Sequence, residues 1–280
     1  MTGTTTDVTS EVAAPRRRSG RTGPLRGLAR LATSLWLPVA LLAVWWLVTD
    51  TSTSPFFPPL RDILAETWNQ WVVFGEWTHA VASLKNLLFG YLAGTVVGVV
   101  GGSLLWRLRQ VRVAVNPLIY FLYVLPAPAL LPAMIALFGI GQMRQIALIA
   151  LGVIWPTLLN TLDGMRGIDV VKFDTAKALR LGGWRTYRTL VLPGAAPQIT
   201  AGLRASLAVG IVLMVVSEMV AARSGIGYFI LQAQAEFAIL KMWTGILVLA
   251  LIGTALNYLF MLAERVVLHW HVKSRALAGS

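Results

Sequence analysis

Two groups of residues in this 280-residue chain stand where chemistry could follow. Glu218, in VVSEMVAARSGIG, is the one acid inside an otherwise apolar run. A carboxylate at membrane depth is costly and by default marks function. It either lines or gates a pathway, or makes an interfacial structural bond, to Ser217 or Arg223. Arg204 lies about 21 Å away along a common helix at about 1.5 Å per residue, so the two cannot pair within it. The second group is the basic segment 172–193, KFDTAKALRLGGWRTYRTLVLP. It reads as two short helices around a Gly182-Gly183 turn, closing on Leu192-Pro193. Asp174, Lys177, Arg180, Arg185 and Arg188 offer charges to a polar groove, while Ala176, Ala178 and the glycines keep a surface smooth for close packing. The plainer alternative is a basic connector with no partner.

Other chemistry is missing. The sequence holds no G-x-x-x-x-G-K-[ST], so it binds no ATP phosphates in the P-loop manner. Neither HExxH, a Ser/His/Asp grouping nor paired carboxylates falls in a plausible site, which argues against an enzyme. Zero Cys excludes disulfides and thiolate ligands. His269 and His271 have no acid or Cys beside them to complete a metal site. No cofactor is expected in this chain.

The elements that must hold these residues are membrane spans. The chain is 56% hydrophobic and 13% charged, with mean hydropathy +0.69, whereas soluble domains carry about 25% charged residues. Runs near the roughly 20 residues needed to cross the hydrocarbon core fall at 31–49, 86–106, 113–143, 145–162 and 242–263, with a sixth at about 197–221 that Arg204 and Glu218 interrupt. The fold class is therefore all-α, polytopic, with about six transmembrane helices. The net charge of +12 reports topology and no nucleic-acid partner. Arg16, Arg17, Arg18, Arg21, Arg26 and Arg30 precede the first span. Arg107, Arg109 and Arg112 follow the second, Arg166 to Arg188 the fourth, and Arg265, Lys273 and Arg275 the sixth. The positive-inside rule puts these loops and both termini in the cytoplasm; Arg61, Arg144, Arg223 and Lys241 take the opposite side. Residues 1–30 read as a disordered basic tail, 31–270 as the transmembrane domain and 271–280 as a second tail. The first span is expected to be retained, since no small-residue cleavage site follows it.

Between the first two spans, apolar residues at helical spacing from Leu60 to Val72 predict an amphipathic interfacial helix, with Trp68, Trp71 and Trp77 at headgroup level. Gly90, Gly94, Gly98 and Gly102 put a smooth stripe on one face of the second span. It serves packing within one subunit or contact between subunits. The third run carries Pro117, Pro126, Pro128 and Pro132. Each interior proline removes a backbone hydrogen bond, and freed backbone groups are tolerated where protein or a watery cavity covers them. Pro126, Pro128 and Pro132 thus join Glu218 as pathway-lining candidates, with a merely kinked span as the alternative. Gly139-Ile140-Gly141 and Gly225-Ile226-Gly227 are expected to end helices.

From about Pro58 to Trp270, the order of features resembles permeases of the nitrate/sulfonate/taurine branch of ABC importers. The matching pieces are FFPPLRDIL, NPLIYFLYVLPAPALLPAMIALFGIG, LLNTLDGMRGID, LVLPGAAPQITAGLRASLAVG, SEMVAARSGIGYFI and AERVVLHWH. The resemblance implies a type I importer fold, with the transmembrane region at about 78–264. It implies a homodimer in the bacterial cytoplasmic membrane, surrounded by lipid. Its partners would be two copies of an ATPase subunit, which bind the ATP, and an external solute-binding protein. Residues 166–193 then form the cytoplasmic coupling loop. The family's motif reads E-A-A-x-x-x-G with a Pro thirteen residues on. Counting back from Pro193 places Asp174, Thr175 and Ala176 on E-A-A, and Arg180 on the Gly. Asp174 is one methylene short, and the turn is expected to move to Gly182-Gly183, lengthening the first helix and turning Lys177 and Arg180 to the partner. A nitrate-, sulfonate- or taurine-like anion is the implied cargo. The rival reading, a secondary transporter or channel driven by ion gradients, wants more intramembrane ionisable groups and duplicated halves than this sequence offers.

Overall fold

The computed structural model describes residues 24–269 except Thr51, Thr53 and Pro55. Residues 1–23 of the tail expected over 1–30, and the whole tail expected over 271–280 with His271, lie outside the described residues. Eleven helices follow in order: α1 (Pro24–Thr49), α2 (Leu60–Thr67), α3 (Trp77–Arg107), α4 (Arg109–Val124), α5 (Leu131–Phe138), α6 (Gln142–Arg166), α7 (Val170–Ala178), α8 (Gly183–Thr186), α9 (Leu192–Met219), α10 (Ile226–Ala235) and α11 (Ile239–Val267). Residues up to Ser52 form one unit and those from Thr53 another. In the first, α1 begins at Pro24, so its helix reaches into residues 24–30 that the sequence reading gave to the tail. Proline suits a helix start, where its missing N–H is not needed.

In the second unit, α3, α6, α9 and α11 are each long and apolar enough to cross a membrane. Helix α8 runs through a wide π-type turn (Tyr187–Val191) into α9, giving one helical stretch from Gly183 to Met219. Leu192-Pro193 therefore does not close a separate short helix; Pro193 sits in the first turn of α9. The interrupted sixth candidate is a regular span.

The third run departs most from expectation. Helices α4 and α5 meet at 91° across a short break, so the run is a broken element and not one kinked span. Leu125 is extended (φ −64°, ψ 124°), as the residue before a proline prefers. Pro126 then opens a single 3-10 turn over Ala127–Leu130, and Pro132 lies in the first turn of α5, where a proline is harmless.

The α3–α6 seam shows why the glycines recur every four residues. A Cβ on Gly90 would lie 2.7 Å from Ile149 Cβ, and one on Gly98 2.7 Å from Thr157 Cβ. On Gly94 it would meet the Ala150 carbonyl at 2.6 Å, and on Gly102 the Leu158 carbonyl at 2.8 Å. The partners on α6 recur at the same spacing, so one ridge enters one groove. Of the two roles open in the sequence, the stripe packs within the subunit.

Three apolar clusters stack along the bundle. Leu87, Ile149, Val153, Leu213 and Met214 fill its middle. Met165, Val191, Ala195 and Ile199 fill the end carrying Arg107 and Arg166, the basic end. Trp71, Ala80, Ile226, Phe229, Ile230 and Val248 fill the opposite end. Trp71 corrects the headgroup assignment: it is 1% exposed, packs against Phe229 at 5.2 Å between ring centroids, and donates from Nε1 to Thr244 Oγ1 at 3.2 Å. Trp68 and Trp77 are exposed.

Candidate functional sites

At the basic end, α7 is built to hold one orientation. Asp169 caps it, Oδ1 accepting from Val171 N at 3.0 Å. Its inward face is Ala176, buried, and Phe173, stacked on Trp106 at 6.3 Å. Tyr187, from the following segment, donates to Ser103 Oγ at 3.0 Å and stacks on Trp184 at 5.6 Å. The loop is thus bolted to the last turns of α3. Its outward face carries Val170 and Val171, 69% and 66% exposed, with Asp174 and Lys177, whose carboxylate and ammonium lie 3.0 Å apart. Thr175 on this helix is also exposed, its hydroxyl donating to the Val171 carbonyl.

The turn that follows is made by Arg180 and not by Gly182-Gly183. Arg180 has φ +52°. Its N–H donates to the Lys177 carbonyl at 2.8 Å, and Leu181 N–H to the Ala176 carbonyl at 3.0 Å. These are the two bonds of a Schellman motif, with arginine where glycine is usual. Gly182 has φ −63° and ψ 156°, open to any residue, and a Cβ on either glycine would meet nothing within 4 Å. The first helix is therefore not lengthened; it ends at Ala178. Ala176 faces inward and is not part of the outer surface.

A cavity of about 560 Å³ lies against the broken α4–α5 element, walled also by α6 and α9. Leu125, Pro128, Gly152, Trp155, Val209 and Leu213 are among its lining. Pro128 is in this wall. Pro126 makes the break beside it and Pro132 starts α5; both are exposed but neither lines the cavity.

Glu218 is elsewhere, 1% exposed at the opposite end of the bundle. Oε2 accepts from Ser83 Oγ at 2.8 Å and from Gly227 N at 3.0 Å, while Ser83 Oγ accepts from Ile226 N at 2.8 Å. His79 Nδ1 accepts from Gly225 N at 3.2 Å. Three orphan-prone N–H groups at the start of α10, those of Gly225, Ile226 and Gly227, are thereby tied to α3 and α9, with an acid at a helix N-terminus where the dipole favours it. Gly225 and Gly227 open this helix instead of ending one. A Cβ on Gly225 would fall 2.6 Å from Glu218 Oε2, and one on Gly227 2.5 Å from the Val215 carbonyl. Gly139, with φ +70°, does end a helix, α5.

Arg144 stands between two apolar runs, where the sequence predicts a loop, yet it is wholly buried in the first turn of α6. Nη2 donates to the Ser217 carbonyl at 3.2 Å and the Ala221 carbonyl at 3.4 Å. It serves the C-terminal carbonyls of α9, where a cation complements the dipole. Only the fold brings Arg144 to them.

A family model described as "Binding-protein-dependent transport system inner membrane component" matches residues 87–269. A putative aliphatic sulfonates transport permease protein, SsuC of Bacillus subtilis (strain 168), is 29% identical over 261 residues, covering 92% of each chain. The taurine transport system permease protein TauC of Escherichia coli (strain K12) is 30% identical over 255 residues, covering 87% of this chain and 92% of that one. Among solved structures, two inward-facing crystal forms of the MetNI methionine ABC transporter share the fold. Their TM-scores are 0.54 and 0.56 at 20% and 18% identity, over 72% of this chain and 98% of theirs. The architecture is thus the all-α type I importer permease fold. The chain belongs to the binding-protein-dependent transport system inner membrane components, as a multi-pass permease subunit of an ABC importer in the bacterial cytoplasmic membrane.

Proposed function

We propose that α7 and the Arg180 turn are the surface through which the partner ATPase drives this permease. The observation that carries the reading is the outward face of α7. Val170, Val171 and Leu179 stand exposed beside Asp174 and Lys177, while Phe173, Ala176 and Tyr187 fix the segment from behind. A mere connector has no need of exposed apolar side chains on a rigidly held helix; a docking surface does. An exposed ion pair of this kind is worth under about 1 kcal/mol to the fold, so its charges are free to serve a partner. Lys177 and Arg180 belong to this surface, with Arg180 setting its edge; Gly182 and Gly183 allow close approach without a conformational demand of their own.

The unit is a homodimer with both termini in the cytoplasm, two ATPase copies on the basic end, and a solute-binding protein on the other. ATP is held by the ATPase subunits. The Pro128 wall supports a path completed by a second copy, since it is exposed in one chain. The cargo is a small sulfonate-type anion, on the strength of relatives named for aliphatic sulfonates and taurine.

Proteoliposomes holding permease, ATPase and binding protein test this. Replacing Asp174 and Lys177 by alanine should lower uptake of labelled taurine or an alkanesulfonate at least tenfold while membrane insertion and monomer folding persist. Unchanged uptake, or wild-type uptake without the ATPase, sinks the coupling role. Failure of every sulfonate, with intact ATP-driven import of another solute, overturns the cargo alone.

A further inference from the structure

Behind the α7 segment lies a groove of about 570 Å³ that shares only Lys177 and Gly183 with the proposed coupling surface. Its walls are the last turns of α3 with Trp106, and the rings of Phe173, Trp184 and Tyr187. Its charged lining is cationic: Arg107, which closes α3, and Lys177. Arg107 is exposed and has no acidic side chain within 4.0 Å among the described residues. Trp184 is 73% exposed at the mouth.

The depth of this groove says what chemistry meets it. Arg107, the final residue of α3, directly follows the uncharged run 86–106, whose length matches the roughly 20 residues that cross the hydrocarbon, so the groove opens near the level where the helix leaves it. Tryptophan and tyrosine favour that level because one end of the ring is apolar and the other wet. An occupant must therefore be apolar along the rings, anionic at Arg107, and abundant at the membrane surface. The volume lies within the roughly 300–1,000 Å³ of small-ligand pockets, and a basic pocket between spans is the form that binds acidic lipid headgroups. A soluble anion would leave the aromatic walls without a partner, and a neutral lipid would leave Arg107 without one.

We propose that this groove is a binding site for one anionic glycerophospholipid, its phosphate on Arg107 and an acyl chain along Trp106, Phe173 and Trp184. The bound lipid wedges between α3 and the α7 segment. Binding itself does not depend on the coupling reading, because every wall belongs to this chain.

The test uses the full-length permease without ATPase, released from nanodiscs of phosphatidylcholine containing phosphatidylglycerol, with retained lipid counted by native mass spectrometry. Wild type should retain phosphatidylglycerol over phosphatidylcholine. Arg107→Gln should cut that preference about fivefold, equivalent to the ~1 kcal/mol of one basic residue at an acidic surface, and Arg107→Lys should largely restore it. Val100→Trp, which fills the groove from α3, should lower retention of both lipids. Equal retention of the two lipids by wild type overturns the proposal, as does a preference untouched in Arg107→Gln. So does an efficient cross-link from Val100→Cys to a second permease copy, which would make the groove a protein interface.

Discussion

At the scale of residues, two side chains carry costs that the fold accepts. Arg180 holds a left-handed conformation that costs a non-glycine residue about 1–2 kcal/mol. Arg180→Gly should therefore raise the thermal midpoint of the purified permease, by about 1 kcal/mol of stability, while Arg180→Ala should not; the two melting curves decide it. Glu218 distinguishes structure from pathway in the same way. Gln can keep one oxygen on Ser83 Oγ and Gly227 N, whereas Ala leaves buried donors without acceptors, at about 1–3 kcal/mol each. Thermal stability should fall in the order wild type, Glu218→Gln, Glu218→Ala, with transport by the Gln variant close to normal. Strongly altered substrate kinetics in a Gln variant of full stability would return Glu218 to the pathway.

At the scale of elements, the α3–α6 seam is the most exacting contact. Gly98→Ala drives a methyl into Thr157 Cβ, which is on a packed backbone and cannot yield cheaply, so a loss of about 1–3 kcal/mol is expected. Gly101 is the internal control. Its Cβ would lie 3.3 Å from Leu158 Cδ1, the end of a flexible side chain, so Gly101→Ala should be near neutral or gain up to about 1 kcal/mol of helix propensity. Equal melting temperatures for the two variants would count against the close approach. The sequence made the four-residue repeat plain but not its partner, because a smooth stripe fits a neighbour in the same chain or another. The broken α4–α5 element was half legible: four prolines announce disruption, but a kink and a 91° turn differ only in what packs around the break.

At the scale of the whole molecule, the exposed proline wall predicts that two copies face one another across the transport path. Cysteine at Val124, 76% exposed at the end of α4, should cross-link two permeases in native membranes with a short bifunctional reagent. A monomeric product at all reagent lengths would refute that arrangement. Of the six expected spans, α3, α6, α9 and α11 were legible, together with the segment order, because insertion into a membrane is a local matter of hydropathy; among the described residues these four, or five with the bent α4–α5 pair, are long and apolar enough to cross. Their meeting points were not. Arg144 sat in a nominal loop, and only the packing of α6 on α9 reveals it as the cap of another helix's carbonyls. Trp71 read as one of three interfacial tryptophans until the packing around Phe229 and Thr244 enclosed it.

The sequence by itself determined an all-helical membrane permease with a basic, ordered segment at 166–193, since apolar length, charge asymmetry and motif order need no knowledge of distant contacts. Only the tertiary structure decided which residue makes the turn in that segment, what the glycine stripe touches, and that Glu218 secures the start of α10. Each of these depends on which backbone approaches which, to within a methyl group, and that is settled by packing between residues far apart in the chain.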